Sequence, residues 1–377
     1  MITAIGVRTL AKCALLILVT FLVCFLRRPD QFFHAIIWCD SSQFLEWFAI
    51  DGWGSLLRPA QGYYLLVPKL ISFVSYSVSF SYTPEIAVYL TVLFTAFVII
   101  SIAFAPTILE YSVAAAIIVL IIPTDAEVFS TALYTFFWAS LLLILVVIWQ
   151  EDKSKISFRV QTLIRSVFIL LGGLSSPLII PIAGLLFFRV ALKRNLRELF
   201  LFLWALMFSV IQATEIASGE NAEVPEITVD FVLEVIRKFF GLFISYDWFS
   251  EFNLSNEIQL GLGVVFLVIA VVAIFRNRDR ISSQGWLLIL FTAMSIVAAV
   301  LRVEIIHLDP RTGGPRYFFI PWILLSWLIL YIYSLEKVLV TRIFLSTVIL
   351  LALIGGSGSF IRRHDNLSWR KQLRKCV

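Results

Sequence analysis

The sequence predicts an all-α, polytopic integral membrane protein with about ten or eleven transmembrane helices, forming a single transmembrane domain over residues 1–377. Three observations carry this. Of the 377 residues, 60% are hydrophobic and 15% charged, and the mean hydropathy of +0.95 lies far above that of a water-soluble globule. Apolar runs close to the ~20 residues that a helix needs to cross the hydrocarbon core recur from Leu10 almost to the C-terminus. Those runs are continuous rather than alternating, which argues against an outer-membrane barrel. The formal charge is +5, but Lys and Arg fall in short clusters between apolar runs, so they read as topology signals and not as a nucleic-acid surface.

The run Leu10–Leu26 is followed by Arg27, Arg28, Pro29 and Asp30 rather than by a small-residue cleavage site, and reads as an uncleaved first helix. With the N-terminus in the cytoplasm, residues 27–84 form a first outer loop, whose mixed aromatic, charged and apolar residues suit helices lying at the interface. Spanning helices are expected at 85–104, 107–122 and 131–149, punctuated by Pro106 and by Pro123-Thr124-Asp125-Ala126-Glu127. The basic loop 151–165 belongs in the cytoplasm. The run 166–188 has basic flanks at both ends, so it is expected to fold back as two short helices at Gly172-Gly173-Leu174-Ser175-Ser176-Pro177. A helix at 199–215 leads to an acidic second outer loop, 216–258, with an interfacial helix in its middle. Helices at 259–275, 284–302, 317–334 and 344–360 complete the count. This places the basic tail from Arg362 outside, against the charge rule.

Cys13, Cys24, Cys39 and Cys376 have no CxxC spacing and there are three histidines, so a structural zinc or haem site is not indicated. Three clusters fall on the outer side: Asp40 with Glu46 and Asp51, Asp125 with Glu127, and His307 and Asp309 with Arg311 and Arg316. Asp40 follows Trp38 and Cys39, where aromatic shielding suits a general base, although it could equally cap a helix beginning at Ser41. Asp51 precedes Gly52 and reads as a turn residue, and Asp125 also has an N-cap reading. Arg58, Lys69, Arg311 and Arg316 lie near helix ends at the level of a lipid phosphate, which the planar guanidinium suits best. For Lys69 the plainer reading is contact with bulk anionic lipid.

This arrangement resembles the GT-C superfamily of membrane glycosyltransferases, which take sugars from polyprenyl-phosphate-linked donors. The resemblance rests on the long first outer loop, on Asp40 soon after the first helix, on Gly62-Tyr63-Tyr64-Leu65-Leu66-Val67-Pro68-Lys69-Leu70 as its interfacial helix, and on Gly313-Gly314-Pro315-Arg316-Tyr317-Phe318-Phe319 opening a late helix. At the mid-chain break, Ser175-Ser176 stand where relatives often carry Lys. The resemblance implies transfer, with inversion, to a glycan or lipid acceptor on the outer face. Asp40 would be the base, assisted by Asp125 or Glu127. Arg316, with Arg311, Arg58 and Lys69, would hold the donor phosphate, and Tyr63, Tyr64, His307 and Asp309 would line the substrate site. Some relatives use a divalent metal and others none, and these carboxylates do not choose between them. No nucleic-acid partner is implied. In a bacterial host the membrane would be the inner (cell) membrane and the outer side the periplasm, where cell-envelope glycans are built. The competing reading is a transporter or flippase of envelope precursors, for which polar residues within the spanning helices would be the signature. His34 and His307 also leave an acyltransferase open.

Overall fold

The computed structural model describes residues 2–37, 39–60, 62–154, 156–218, 227–246, 255–310, 314–356, 360–363 and 369, with the side chains of 2–8 and 39–41 outside that description. Among the described residues there is no β-strand. The described residues form sixteen α-helices with short 3₁₀ and π turns. In order these are α1 (Ile2–Arg27), α2 (Pro29–Phe33), α3 (Cys39–Asp51), α4 (Leu66–Val78), α5 (Thr83–Phe104), α6 (Ser112–Ile121), α7 (Thr135–Val147) and α8 (Phe158–Gly173). The second half comprises α9 (Ile179–Lys193), α10 (Leu196–Ser218), α11 (Val229–Ile236), α12 (Leu242–Ser245), α13 (Asn256–Arg276), α14 (Ser283–Arg302), α15 (Phe319–Leu335) and α16 (Leu339–Gly355).

The expected apolar segments are helical over most of their length, as a polytopic membrane protein requires. Among the described residues six helical stretches are long and apolar enough to cross a membrane: Thr9–Arg27, Phe80–Phe104, Leu196–Ala217, Asn256–Arg276, Ser283–Arg302 and Pro315–Leu335. The others are cut short by their own residues. Pro123 follows the end of α6, which has 10 residues, about 15 Å of helix against a hydrocarbon core of about 30 Å.

Burial explains why length was not conserved across the bundle. The helix α7 is buried along almost its whole length and has no amphipathic face, as expected for a helix surrounded by others. The stretch Pro315–Leu335 is 78% buried, while Thr9–Arg27 and Asn256–Arg276 are each 22% buried and turn Leu15, Leu18, Val265 and Val268 outward. Central helices therefore find helix neighbours on all sides, and peripheral ones present Leu and Val to lipid.

Charged contacts mark the two faces. On one face, the buried Glu198 at the start of α10 accepts from Arg165 of α8 at 3.0 and 2.8 Å and from Arg189 of α9 at 3.0 and 2.6 Å. Arg189 also donates to the carbonyls of Val147 and Trp149, closing the C-terminal end of α7 at 2.6 and 3.0 Å. On the other face, the backbone N–H of Arg362 donates to the carbonyl of Arg27 at the end of α1, 2.9 Å away. The C-terminal end of α16 thus returns to the face carrying the first long loop. Arg362 is paired there with buried carboxylates, described below.

The mid-chain break is structural and docks the first loop. Leu66 N–H donates to Leu174 O (2.8 Å) and Val67 N–H to the Ser175 hydroxyl (3.0 Å). Gln212 of α10 donates to Gly173 O at 2.9 Å and accepts from Tyr64 N–H at 3.0 Å. Ser140 donates to the Ser176 hydroxyl at 2.8 Å. Backbone groups released by the break are thereby satisfied inside protein, as a membrane setting requires. Gly172 is needed for this approach, because a Cβ there would lie inside Leu143 and 2.8 Å from Ala139 O.

Candidate functional site

On the loop face, the segment between α6 and α7 turns through Pro123–Tyr134 and is buried throughout apart from a partly exposed Ala132. Asp125 caps a 3₁₀ turn over Ala126–Val128, its Oδ1 accepting the Glu127 N–H at 2.8 Å. The N-cap reading of Asp125 therefore holds, and it does not exhaust the residue. One guanidinium spans both carboxylates: Arg362 Nη1 lies 2.9 Å from Asp125 Oδ1 and its Nη2 2.5 Å from Glu127 Oε1. The other Glu127 oxygen accepts from the Tyr134 hydroxyl at 3.3 Å and lies 4.0 Å from Arg316 Nη1, which itself donates to Tyr134 at 2.9 Å.

Two more arginines back this cluster from the end of α1. Arg27 donates to Ile122 O at 2.8 Å and to Thr124 O at 3.3 Å, its guanidinium sandwiched between Phe129 and Phe360 at 4.3 and 4.5 Å. Arg28 is fully buried. Burial pulls its guanidinium down to about 10, against the opposing pull of Glu127 and with a further push from Arg362. Burial and the neighbouring Asp125 raise the Glu127 carboxyl above its ordinary value, while Arg362, Arg28 and Arg316 oppose the rise. Asp125 and Glu127 are thus shielded, whereas the side chains of Arg316 and Arg362 remain 39% and 45% exposed. Buried carboxylates carry exposed guanidiniums, a geometry that presents positive charge to an anion from outside.

A small crevice of about 30 Å³ is lined by Ile36, Leu45, Val88, Ser130 and Thr131 among others. Its floor, Ser130–Thr131, directly follows the turn that carries Glu127, and Ser130 holds a left-handed backbone (φ 58°).

The other residues singled out in the sequence are distributed differently. Asp40 is the second residue of α3, within the helix rather than capping one that begins at Ser41; its side chain lies outside the described residues. Arg311 also lies outside them. Arg58 pairs with Asp51 at 3.8 Å and covers the Trp47 ring at 4.4 Å, while Gly52 takes the left-handed turn expected after Asp51. Lys69 is buried, donating to Ser55 O at 3.2 Å and to Arg58 O, with Trp47 4.9 Å away. It knits the first loop together, so the reading in which Lys69 meets bulk lipid is corrected. Tyr63 pairs its backbone with Ala60 and packs on Phe136, and the Tyr64 hydroxyl donates to Glu215 at 3.2 Å. His307 is an exposed partner of Glu304 at 3.6 Å, and Asp309 lies in the field of Lys238.

Of the residues read as functional, the structure therefore brings together Asp125, Glu127 and Arg316. It adds Arg27, Arg28, Tyr134 and Arg362. The signal for Arg362 was present as the tail's misplaced positive charge. Nothing local marked Tyr134. Among the described residues no group of three or more His, Cys, Asp and Glu side chains is placed to hold a metal ion. No known protein family, curated protein or solved structure matches the chain.

Proposed function

We propose that this integral membrane protein is a glycosyltransferase of GT-C type, moving a sugar from a polyprenyl-phosphate-linked donor to a hydroxyl of a glycan or lipid acceptor at the face that carries the first long loop. The observation that supports the reading is the cluster of exposed arginines held on buried carboxylates at that face. A lipid-linked phosphate has the anionic head that such guanidiniums suit. In the reaction the acceptor oxygen attacks the anomeric carbon as the bond from that carbon to the phosphate oxygen breaks. The acceptor proton passes to a carboxylate, assigned to Asp40 from its place at the start of α3, and the bonding pair leaves with the lipid phosphate. Arg316 stabilises the charge that develops there, and Glu127 and Asp125 hold the guanidiniums in place.

A transporter would need polar groups midway along its crossings. Here the buried carboxylates lie near helix ends or between helices: Glu198, held by Arg165 and Arg189, in the first turn of α10, and Asp125 and Glu127, held by Arg362, between α6 and α7. The test is donor consumption and lipid-phosphate release in proteoliposomes, with Arg316→Gln and Asp40→Asn beside the wild type. Wild-type turnover lost in both variants supports the assignment. Absence of turnover with every polyprenyl-phosphate sugar, together with donor movement between leaflets, refutes it.

A further inference from the structure

We infer that Tyr134 is the positioning residue of the phosphate site: its hydroxyl ties the Arg316 guanidinium to Glu127 and so fixes the direction in which Arg316 meets the anionic head of a lipid phosphate. This role deepens the glycosyltransferase reading, which supplies the identity of the anion, and rests on it.

A phenolic hydroxyl has one proton to give and two lone pairs with which to accept, and here it acts in both ways. It donates to Glu127 Oε2 at 3.3 Å and accepts from Arg316 Nη1 at 2.9 Å. The direct distance between those two charged atoms is 4.0 Å, beyond hydrogen-bond range. The hydroxyl closes a gap that the ion pair alone leaves open. The guanidinium also lies beside the rings of Tyr134 and Tyr317, with centroids at 5.6 and 5.5 Å, and bonds the Tyr317 side chain. An arginine fork has five N–H donors, so others remain for an anion, and 39% of the side chain is open to receive one.

The backbone under each partner is held without that hydroxyl. Tyr134 ends the 3₁₀ turn Ala132–Tyr134 that leads into α7; it is buried, and its ring packs on Phe136 and Phe137. Arg316 belongs to the turn Pro315–Phe318 that leads into α15, whose first residue, Phe319, packs on Phe129, Phe137 and Trp138. Rings thus join the N-terminal ends of α7 and α15. They leave unfixed the far end of the Arg316 side chain, which when partly exposed has many rotamers to choose from. A guanidinium already aimed at the place where charge develops needs no rearrangement during the reaction. Removing only the oxygen, as in Tyr134→Phe, keeps the ring packing, and Glu127 keeps Arg362 on its other oxygen.

The experiment compares wild type, Tyr134→Phe, Arg316→Lys and the double variant. Its first readout is independent of turnover: the apparent Kd of decyl phosphate, taken from the rise of melting temperature with ligand concentration, with decanol as the control for the alkyl chain. Each protein is referred to its own melting temperature without ligand, so a change in basal stability does not enter. Tyr134→Phe is expected to raise that Kd roughly tenfold when Arg316 is present. In the Arg316→Lys background, where the charge is kept but there is no fork to orient, the same change should alter it by less than about twofold. A merely structural tyrosine would weaken binding alike in both backgrounds. Equal effects in the two backgrounds, an unchanged Kd in Tyr134→Phe, or no stabilisation of wild type by decyl phosphate beyond that by decanol would overturn the inference. Turnover of a polyprenyl-phosphate sugar then separates the two claims. If binding shows the coupling and no sugar is transferred, the positioning role stands and the transferase reading fails. If wild type transfers sugar and Tyr134→Phe binds and turns over as wild type does, the transferase reading stands and the positioning role fails.

Discussion

Replacing Glu198 by Gln should be among the most destabilising isosteric changes in the molecule. Its carboxylate takes four hydrogen bonds from two arginines whose side chains, like its own, have at most 1% exposure. Counting each charge-assisted bond at about 1.5–3 kcal/mol would overshoot, because the four share the same partners. Breaking a buried pair by removing one charge costs about 3–5 kcal/mol, so the folded-to-unfolded ratio should fall by roughly two to four powers of ten. Arg165 keeps Glu151 at 3.2 Å, and Arg189 keeps the carbonyls of Val147 and Trp149, which places the cost below that of a lone buried cation. The assay is thermal and denaturant unfolding in one detergent. Replacing Arg165 by Met together with Glu198→Gln should recover part of the loss, since one stranded charge is then gone. A Glu198→Gln protein that melts with the wild type would refute the account of how α8, α9 and α10 are held.

Gly172→Ala should destabilise by about 1–3 kcal/mol through overpacking, read as a lowered melting temperature, because the added methyl meets Leu143 and Ala139 O. Glu127 has a raised carboxyl in the folded state, so the folded protein binds more protons than the unfolded one. Its contribution is greatest below the unfolded value and is lost as pH rises through the folded value. Melting temperatures measured from mildly acidic to neutral pH should therefore fall more steeply for wild type than for Glu127→Gln. Single cysteines at the exposed positions Arg363 and Glu304 should react with an impermeant maleimide from the same side of sealed vesicles, and one at Arg278 from the opposite side.

Much of the architecture was legible because bilayer thickness acts directly on sequence. Continuous apolar runs between basic clusters located the helices, and Gly172-Gly173 with Pro177 located the break. Crossing length was not legible: α6 and α7 read as full spans by hydropathy, yet they have 10 and 13 residues, and α7 is buried along almost its whole length, which frees it from the need to match the bilayer. Asp125, Glu127 and Arg316 were visible as ionisable residues near helix ends. Their union was not, since 182 residues separate Tyr134 from Arg316 and 237 separate Asp125 from Arg362. Lys69 shows the opposite failure. Its chemistry suited a phosphate, but the carbonyls that claim it, those of Ser55 and Arg58, are supplied by a turn that no periodicity announces.

The measurement that bears most directly on the central claim is release of lipid phosphate from a polyprenyl-phosphate sugar by reconstituted wild type and Arg316→Gln at matched, folded protein. Release by wild type that falls roughly a hundredfold in Arg316→Gln, with the melting temperature held, is the predicted result. Undiminished release by Arg316→Gln would contradict it, placing the chemistry away from the carboxylate-borne arginines.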